Sequence, residues 1–270
     1  MKVDLHNHTN YSDGVLSPRE LVNRAKQNGV DIFALTDHDS VFGDDEIVEI
    51  AKEEGIKVIK GMELSTIYDG EPVHIVALFK NNIIPEGILK YSHDFILKRK
   101  ERAINMTLNI NKYYGLNVDV DELVNECTVI TRGNILRHVA RHNNMTFEEA
   151  TKYILPDSKA YIPSTNMDTI EGIKFLKEND CIAIFAHPCL LKKQENVENI
   201  LSCGILDGME VRYPSRKNDE NHFRELAKKY NVFPSAGSDC HGDSTHADIG
   251  TCTLDSDEFE IIRKKLMLWE

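Results

Sequence analysis

The sequence predicts an α/β fold, either a β/α barrel or a doubly wound sheet, interrupted by an all-helical segment. Three observations predict it. Short apolar runs of strand length alternate with helix-period stretches in both the first and the last third of the chain. Most of those runs stop at a histidine, aspartate or glutamate, and functional residues in such folds gather at the carboxyl ends of strands. Between 85 and 163 the alternation gives way to helical periodicity alone. This divides the chain into a barrel domain, 1–84 with 164–270, and a helical insertion, 85–163, expected to cover the mouth of the site.

Taken in order, Lys2-Val3-Asp4-Leu5 alternates as a strand does and ends in His6-Asn7-His8. Side chains two apart on a strand share a face, so His6 and His8 point the same way. With Asp13 in the following loop they begin a divalent-metal site that other segments must complete. Ser17-Pro18-Arg19-Glu20 combines a capping box with proline at the first helical position. Leu21, Val22 and Ala25 give that helix its apolar face, and Gly29 ends it. Ile32-Phe33-Ala34-Leu35 is apolar throughout, as a parallel strand covered on both faces must be. It runs into Asp37-His38-Asp39. A helix over 44–54 precedes a strand over 57–62 that leads to Glu63. After the turn Asp69-Gly70, a strand over 72–79 carries His74 inside an apolar run, where a lone histidine is ordinarily a hydrogen-bonded core residue.

In the insertion, Leu89, His93, Ile96, Leu97, Ile104 and Leu108 recur near helical spacing and predict one long amphipathic helix. Shorter helices are expected over 121–126, 134–141 and 146–153, the last opened by the capping box Thr146-Phe147-Glu148-Glu149. Lys98-Arg99-Lys100 reads as a solvated helix face. Arg132, in the apparent turn Thr131-Arg132-Gly133-Asn134 ahead of a helix, is placed to hold an anion, because helix-start N–H groups add to its charge. Beyond 163 the alternation resumes. A helix over 168–178 precedes a strand over 181–186 that ends in His187-Pro188, and a helix over 196–202 precedes a strand over 208–211 and the loop Arg212-Tyr213-Pro214-Ser215. A helix over 221–230 then leads to a strand over 232–236 that ends in Gly237-Ser238-Asp239-Cys240-His241, and 258–268 is a closing helix. The strands number about seven.

A formal charge of −12 argues against a broad basic face wrapped by duplex nucleic acid. It is compatible with a small phosphorylated substrate, because bound divalent cations invert the local potential. The six cysteines form no C-x-x-C pair and read as free thiols of a reducing compartment; Cys189 and Cys240, beside candidate ligands, keep a minor role open. The chain starts without a basic and then apolar leader, and no apolar run reaches membrane-spanning length, so a cytoplasmic protein without a membrane partner is expected.

Five strand ends therefore carry His6/His8 with Asp13, Asp37/His38, Glu63, His187, and Asp239/His241, with His74 inside a sixth strand; six of the eleven histidines lie in these places. So many ligands imply two or three divalent ions sharing a bridging carboxylate, and an imidazole–carboxylate mixture suits Mn, Fe or Zn. The motifs His6-Asn7-His8 with Asp13, Thr36-Asp37-His38, His187-Pro188 and Gly237-Ser238-Asp239-Cys240-His241, with Glu63 and His74 between, resemble those of the PHP (polymerase and histidinol phosphatase) family.

The resemblance implies a distorted (β/α)7 barrel with a trinuclear site. His6, His8, Glu63 and Asp239 would hold one ion; Glu63, His74 and His187 a second; Asp13, His38 and His241 a third. A hydroxide between two ions would attack phosphorus in line, and Asp37 would support a ligand from behind. The insertion, the segment Lys159-Ala160-Tyr161-Ile162-Pro163 and the loop Tyr213-Pro214-Ser215 look most like the branch that removes the 3′-phosphate from nucleoside 3′,5′-bisphosphates, some members also trimming short single-stranded RNA from its 5′ end. Arg132, Lys159, Tyr213 and Ser215 are then the candidate substrate residues. The family commonly has Gly-Arg-Pro-His where this chain has Thr131-Arg132-Gly133-Asn134, which keeps the arginine and alters its neighbours. The rival readings are a histidinol-phosphate phosphatase or other small phosphomonoesterase, a non-catalytic binding module of the same fold, and hydrolysis of a C–N or C–O bond.

Overall fold

The computed structural model describes residues 1–126, 130, 132–163, 166–215 and 217–269. The strands are β1 (Val3–Asp4), β2 (Ile32–Leu35), β3 (Lys57–Tyr68), β4 (Glu71–Phe79), β5 (Met167–Asp168), β6 (Cys181–Phe185), β7 (Gly208–Arg212) and β8 (Phe233–Ala236). They form one sheet in the order β1-β2-β3-β4-β6-β7-β8, with the two-residue β5 added on β3. The sheet curls until its edges meet: the Leu5 N–H donates to the Ala236 carbonyl at 3.2 Å, and Asn7 bridges Cys240 in parallel. The result is a distorted seven-strand β/α barrel.

The alternation read from the sequence decides which side chains fill it. On β2, Ile32 and Ala34 join Val3, Leu5, Ile59, Ile184 and Ala236 in the barrel interior, and Phe33 and Leu35 join the outer layer against α1 (Pro18–Gln27) and α2 (Asp44–Glu53). α10 (Ser256–Leu266) plugs the same interior with Phe259, Ile262 and Leu266. The capping box on Ser17 and Glu20 forms as expected, and so does the one on Thr146 and Glu149. α7 (Thr169–Glu178), α8 (Glu195–Leu201) and α9 (Glu220–Tyr230) complete the shell.

One strand runs against the others. β3 and β4 form an antiparallel hairpin, and β4 also pairs antiparallel with β6. The cause is local: Asp69 (φ 49°) and Gly70 (φ 78°) both adopt left-handed backbone, the conformation of a tight two-residue hairpin turn. The chain therefore leaves β4 at the end of the barrel opposite the site. α3 (Glu86–Tyr114), 29 residues long, carries it back. It is followed by α4 (Val120–Glu126), α5 (Arg132–His142) and α6 (Phe147–Thr151). These helices pack around a hydrophobic cluster of their own, including Met106, Ile110, Leu123, Ile135 and Val139. Among the described residues no helix is long and apolar enough to cross a membrane.

Candidate metal centre

The strand ends converge on Glu63. Glu63 is fully buried, and its Oε2 lies 3.2 Å from His6 Nε2, 3.2 Å from His8 Nε2 and 3.1 Å from His38 Nδ1. Its Oε1 lies 3.0 Å from His74 Nδ1 and 3.0 Å from His187 Nε2. Asp239 Oδ1 approaches His8 Nε2 at 3.1 Å, and Asp13 Oδ1 approaches His241 Nε2 at 3.2 Å. Three overlapping groups can each hold an ion: His6, His8, Glu63 and Asp239; His38, Glu63 and His74; and His8, Asp13, His38 and His241. His74 reaches this cluster because β4 is reversed. It sits near the start of its strand, paired with Ser65 across the hairpin, at the same end of the barrel as the carboxyl ends of the parallel strands.

The residues fit divalent ions on a structural criterion. His6 Nε2, His8 Nε2, Asp13 Oδ1, His38 Nδ1, Glu63 Oε2 and His74 Nδ1 are buried and have no hydrogen-bond partner, although most face another of the set at close range. Buried polar atoms ordinarily are paired. Ring nitrogens and carboxylate oxygens about 3 Å apart but out of hydrogen-bond alignment fit a ligand shell for a shared cation.

Protonation follows the same charges. Burial alone would push His6 down, but Glu63, Glu210 and Asp239 outweigh it and hold its pKa well above the usual imidazole range. Burial opposes the charged form of His8 too, yet the Asp239 and Glu63 carboxylates raise it to about 10. His38 goes the other way: burial, with His74 and His8 nearby, lowers it to about 3 against the pull of Glu63 and Asp13. Burial would raise Glu63 and Asp239, but the surrounding imidazoles hold both well below the usual carboxylate range. The carboxylates are thus charged at neutral pH, as ligands must be.

Several groups support the candidate ligands, among them Glu210 and Asp4, which were not legible in the sequence, and Asp37, which was. Buried Glu210 on β7 faces His6 Nδ1 at 3.0 Å and accepts the His187 N–H at 2.6 Å, so one carboxylate orients two candidate ligands. The Tyr213 hydroxyl donates to Asp239 Oδ2 at 2.8 Å. Asp4 accepts the Ser238 N–H at 2.9 Å and the Gly250 N–H at 2.7 Å, tying β1 to the loop that carries Asp239. Asp37 accepts the Thr9 N–H at 2.8 Å and the Ser12 hydroxyl at 2.5 Å, and Ser12 Oγ stands 3.5 Å from His8 Nδ1, so Asp37 fixes the loop behind His8. Gly237 is required by close approach: a Cβ there would stand 2.2 Å from His6 Cβ. Asp39 (φ 53°), His187 (φ 30°) and Asp239 (φ 51°) all take the left-handed backbone, strain of the kind that concentrates at functional sites.

A cavity of about 740 Å³ opens over the cluster. Asp13, His38 and His74 line it, together with the basic side chains of Lys98, Arg99, Arg102 and Arg132, which follow β4 on α3 and α5, and of Lys192. Arg132 begins α5, two residues earlier than the spacing suggested, and Thr131 lies outside the described residues. The solvated reading of Arg99 is corrected: its Nη2 bonds Asp39 Oδ2 at 2.8 Å and Ser65 Oγ at 3.2 Å, and its side chain is only 18% exposed. The structure does not bring Lys159 or Ser215 to this cavity. Lys159 is exposed, with its backbone N–H on the Tyr114 hydroxyl, and Ser215 closes a local turn onto Tyr213 and Lys217. Cys189 and Cys240 are buried, with thiols pushed up to about 11 by burial, and belong to none of the candidate metal groups among the described residues; Cys127 lies outside them.

Residues 4–167 match the PHP domain family. The chain is 30% identical over 283 aligned residues to the 5′-3′ exoribonuclease of Haemophilus influenzae, covering 100% of this chain and 98% of that protein. It is 28% identical to the 3′,5′-nucleoside bisphosphate phosphatase of Chromobacterium violaceum, over 88% of this chain and 87% of that one. A crystal structure of a Bifidobacterium adolescentis protein proposed to be a metal-dependent phosphoesterase superposes with a TM-score of 0.84 at 24% identity, over 97% of this chain and 96% of that one, and so shares the fold. With its strand-end histidines and carboxylates gathered around Glu63, the chain belongs to the PHP domain family and is a metal-dependent phosphoric ester hydrolase.

Proposed function

We propose that the chain removes the 3′-phosphate from nucleoside 3′,5′-bisphosphates. The observation that carries this reading is that one cavity is lined both by candidate metal ligands and by a group of cations. A substrate with two phosphates can place one on each. The two sequence relatives act, by name, on a 3′,5′-nucleoside bisphosphate and on RNA from its 5′ end, and both substrates carry a phosphate beyond the one that reacts.

In this reading His6, His8, Glu63 and Asp239 hold one ion, Glu63, His74 and His187 a second, and Asp13, His38 and His241 a third. Divalent ions there supply Lewis-acid activation of water at neutral pH and neutralise charge on the phosphoryl group. The chain's own residues do the rest. Glu210 and Asp37 keep the imidazoles oriented, Tyr213 holds the second oxygen of Asp239, and Arg102 and Arg132 bind the phosphate that does not react. The insertion, 85–163, acts as the substrate-side wall and excludes bulk water from the cavity. A second reading, trimming of short 5′-phosphorylated RNA, is favoured by the full-length match to the exoribonuclease.

The test is phosphate release by Mn²⁺-loaded protein from adenosine 3′,5′-bisphosphate, with 3′-AMP, 5′-AMP and histidinol phosphate alongside. Preference for the bisphosphate with 5′-AMP as product is expected. Turnover confined to histidinol phosphate would overturn the nucleotide assignment, and mononucleotides released from a short 5′-phosphorylated RNA would support the second reading.

A further inference from the structure

A second group of histidines and carboxylates lies in the insertion, away from the barrel. Glu122 and Glu126 are one helical turn apart on α4, and His138 and His142 are one turn apart on α5. Residues four apart share a helix face, so each helix offers a pair of ligands to the other. His142 Nε2 lies 2.6 Å from Glu122 Oε2, and His138 Nε2 lies 3.1 Å from Glu126 Oε2. The two rings stack with centroids 6.0 Å apart, and ligand atoms of Glu122, His138 and His142 all lie within 4.8 Å of one another. His138 is 4% exposed, and His142 Nε2 is a buried ring nitrogen with no hydrogen-bond partner despite the carboxylate beside it. That misaligned close approach is the same signature that His6, His8, His38 and His74 show around Glu63.

We propose that Glu122, Glu126, His138 and His142 bind a divalent transition-metal ion that clamps α4 to α5. Two imidazoles at i and i+4 with one or two carboxylates are a zinc-type donor set, also acceptable to cobalt. Arg141 Nη2 now serves both carboxylates, at 2.6 Å from Glu122 Oε1 and 3.2 Å from Glu126 Oε2, and approaches His138 Nδ1 at 3.3 Å. An ion on His138 Nε2 puts the ring proton on Nδ1, which turns the guanidinium away. Arg141 is therefore the competitor of the metal, and half its side chain is exposed, so it has room to leave. The clamp ties α4 to α5, whose first residue, Arg132, lines the cavity.

The experiment counts zinc bound by the full chain after dialysis, by mass spectrometry of the metal, beside the thermal midpoint with and without zinc. His138→Gln/His142→Gln should carry one equivalent less than wild type, and its Co²⁺-loaded form should lack part of the visible absorption of the wild-type protein. Glu122→Gln, on a partly exposed side chain, gives the same reading where the double variant is unstable. Arg141→Gln should bind zinc at this site several-fold more tightly. An unchanged zinc count in either folded variant, or weaker zinc binding by Arg141→Gln, would show that the four residues are an ion-pair network around Arg141 and overturn the proposal.

Discussion

Replacing Arg99 by methionine tests whether α3 is held to the barrel by a buried charge pair. Asp39 is fully buried at the end of β2, and Arg99 is its cationic partner; the Ser65 N–H at 2.9 Å and the Tyr91 hydroxyl at 3.2 Å also reach it. Methionine keeps the aliphatic stem and removes the charge, with the guanidinium carbon that lies 5.0 Å from the Phe95 ring centroid. Breaking a buried pair by deleting one partner costs roughly 3–5 kcal/mol. Here the two remaining donors and the partial exposure of Arg99 reduce that to about 2–3 kcal/mol. For a chain of this length that is a fall of about 4–5 °C in the melting midpoint. The assay is thermal unfolding of metal-free protein at neutral pH. Adding Asp39→Asn to Arg99→Met should restore most of the loss, since an amide in place of the carboxylate leaves no unpaired charge. Acidification should also narrow the deficit. Burial raises the Asp39 pKa, and Arg99 is a main force lowering it. Without that force the folded state binds the proton more readily than the unfolded chain, and gains stability as pH falls through the folded pKa. A melting point for Arg99→Met within about 1 °C of wild type, or no recovery in the double variant, would refute the reasoning.

Glu63→Gln removes the carboxylate shared by five imidazoles, so bound metal and phosphatase activity should both fall by more than about a hundredfold, read by metal analysis and phosphate release. Arg132→Ala deletes one of the cations that line the cavity and should raise KM for a 3′,5′-bisphosphate roughly 10- to 100-fold, with a much smaller change for a 3′-monophosphate; an equal effect on both would place Arg132 outside the substrate site. Because His8 in the metal-free chain keeps its proton up to about pH 10, metal binding at pH 7 should release protons, seen as a calorimetric heat that depends on the buffer. The sign for stability follows: a pKa raised in the folded state gives stability that is complete below the unfolded pKa, so metal-free protein should lose melting temperature as pH rises from about 7 toward 10, and metal should abolish that slope.

The strand-end residues were legible because each belongs to a short local pattern. Val3 and Leu5 alternate into His6 and His8, and the apolar run of β2 stops at Asp37 and His38; periodicity alone says where such side chains must point. Glu210 was not legible, because Gly208-Met209-Glu210-Val211 reads as an ordinary strand and nothing local shows that its carboxylate faces His6 and His187. Asp4 and Asp39 escaped for the same reason: their partners are distant in sequence, at Ser238, Gly250 and Arg99. Arg99 read as solvated because a Lys-Arg-Lys run on a helix usually is, and which of three adjacent cations turns inward depends on tertiary packing. The pairing of α4 with α5 was equally invisible, since His138 and His142 lie outside every strand-end motif.

The positions of His74 and of the cavity's cations share one structural cause. Asp69 and Gly70 reverse the chain, so β4 presents its start to the metal centre and its end, Phe79, to the opposite face of the barrel. A parallel strand in that position would have offered the cluster its last residues, and His74 would have lain buried at the wrong end. Having left at the wrong end, the chain must climb back before it can contribute to the mouth. A helix rises about 1.5 Å per residue. Ser92 has therefore risen roughly 9 Å above Glu86 where its hydroxyl meets the Asp39 carbonyl at 2.9 Å, and Arg99 is roughly 20 Å above it, high enough to fold back on Asp39 and Ser65. Arg102 comes one turn later and reaches the Ile162 carbonyl at 2.8 Å on the returning side of the insertion. The rise of α3 thus carries the basic residues at 98, 99 and 102 to the cavity, which they line. A two-residue turn beside the candidate metal centre in this way sets where the helix that carries these cations returns to the cavity.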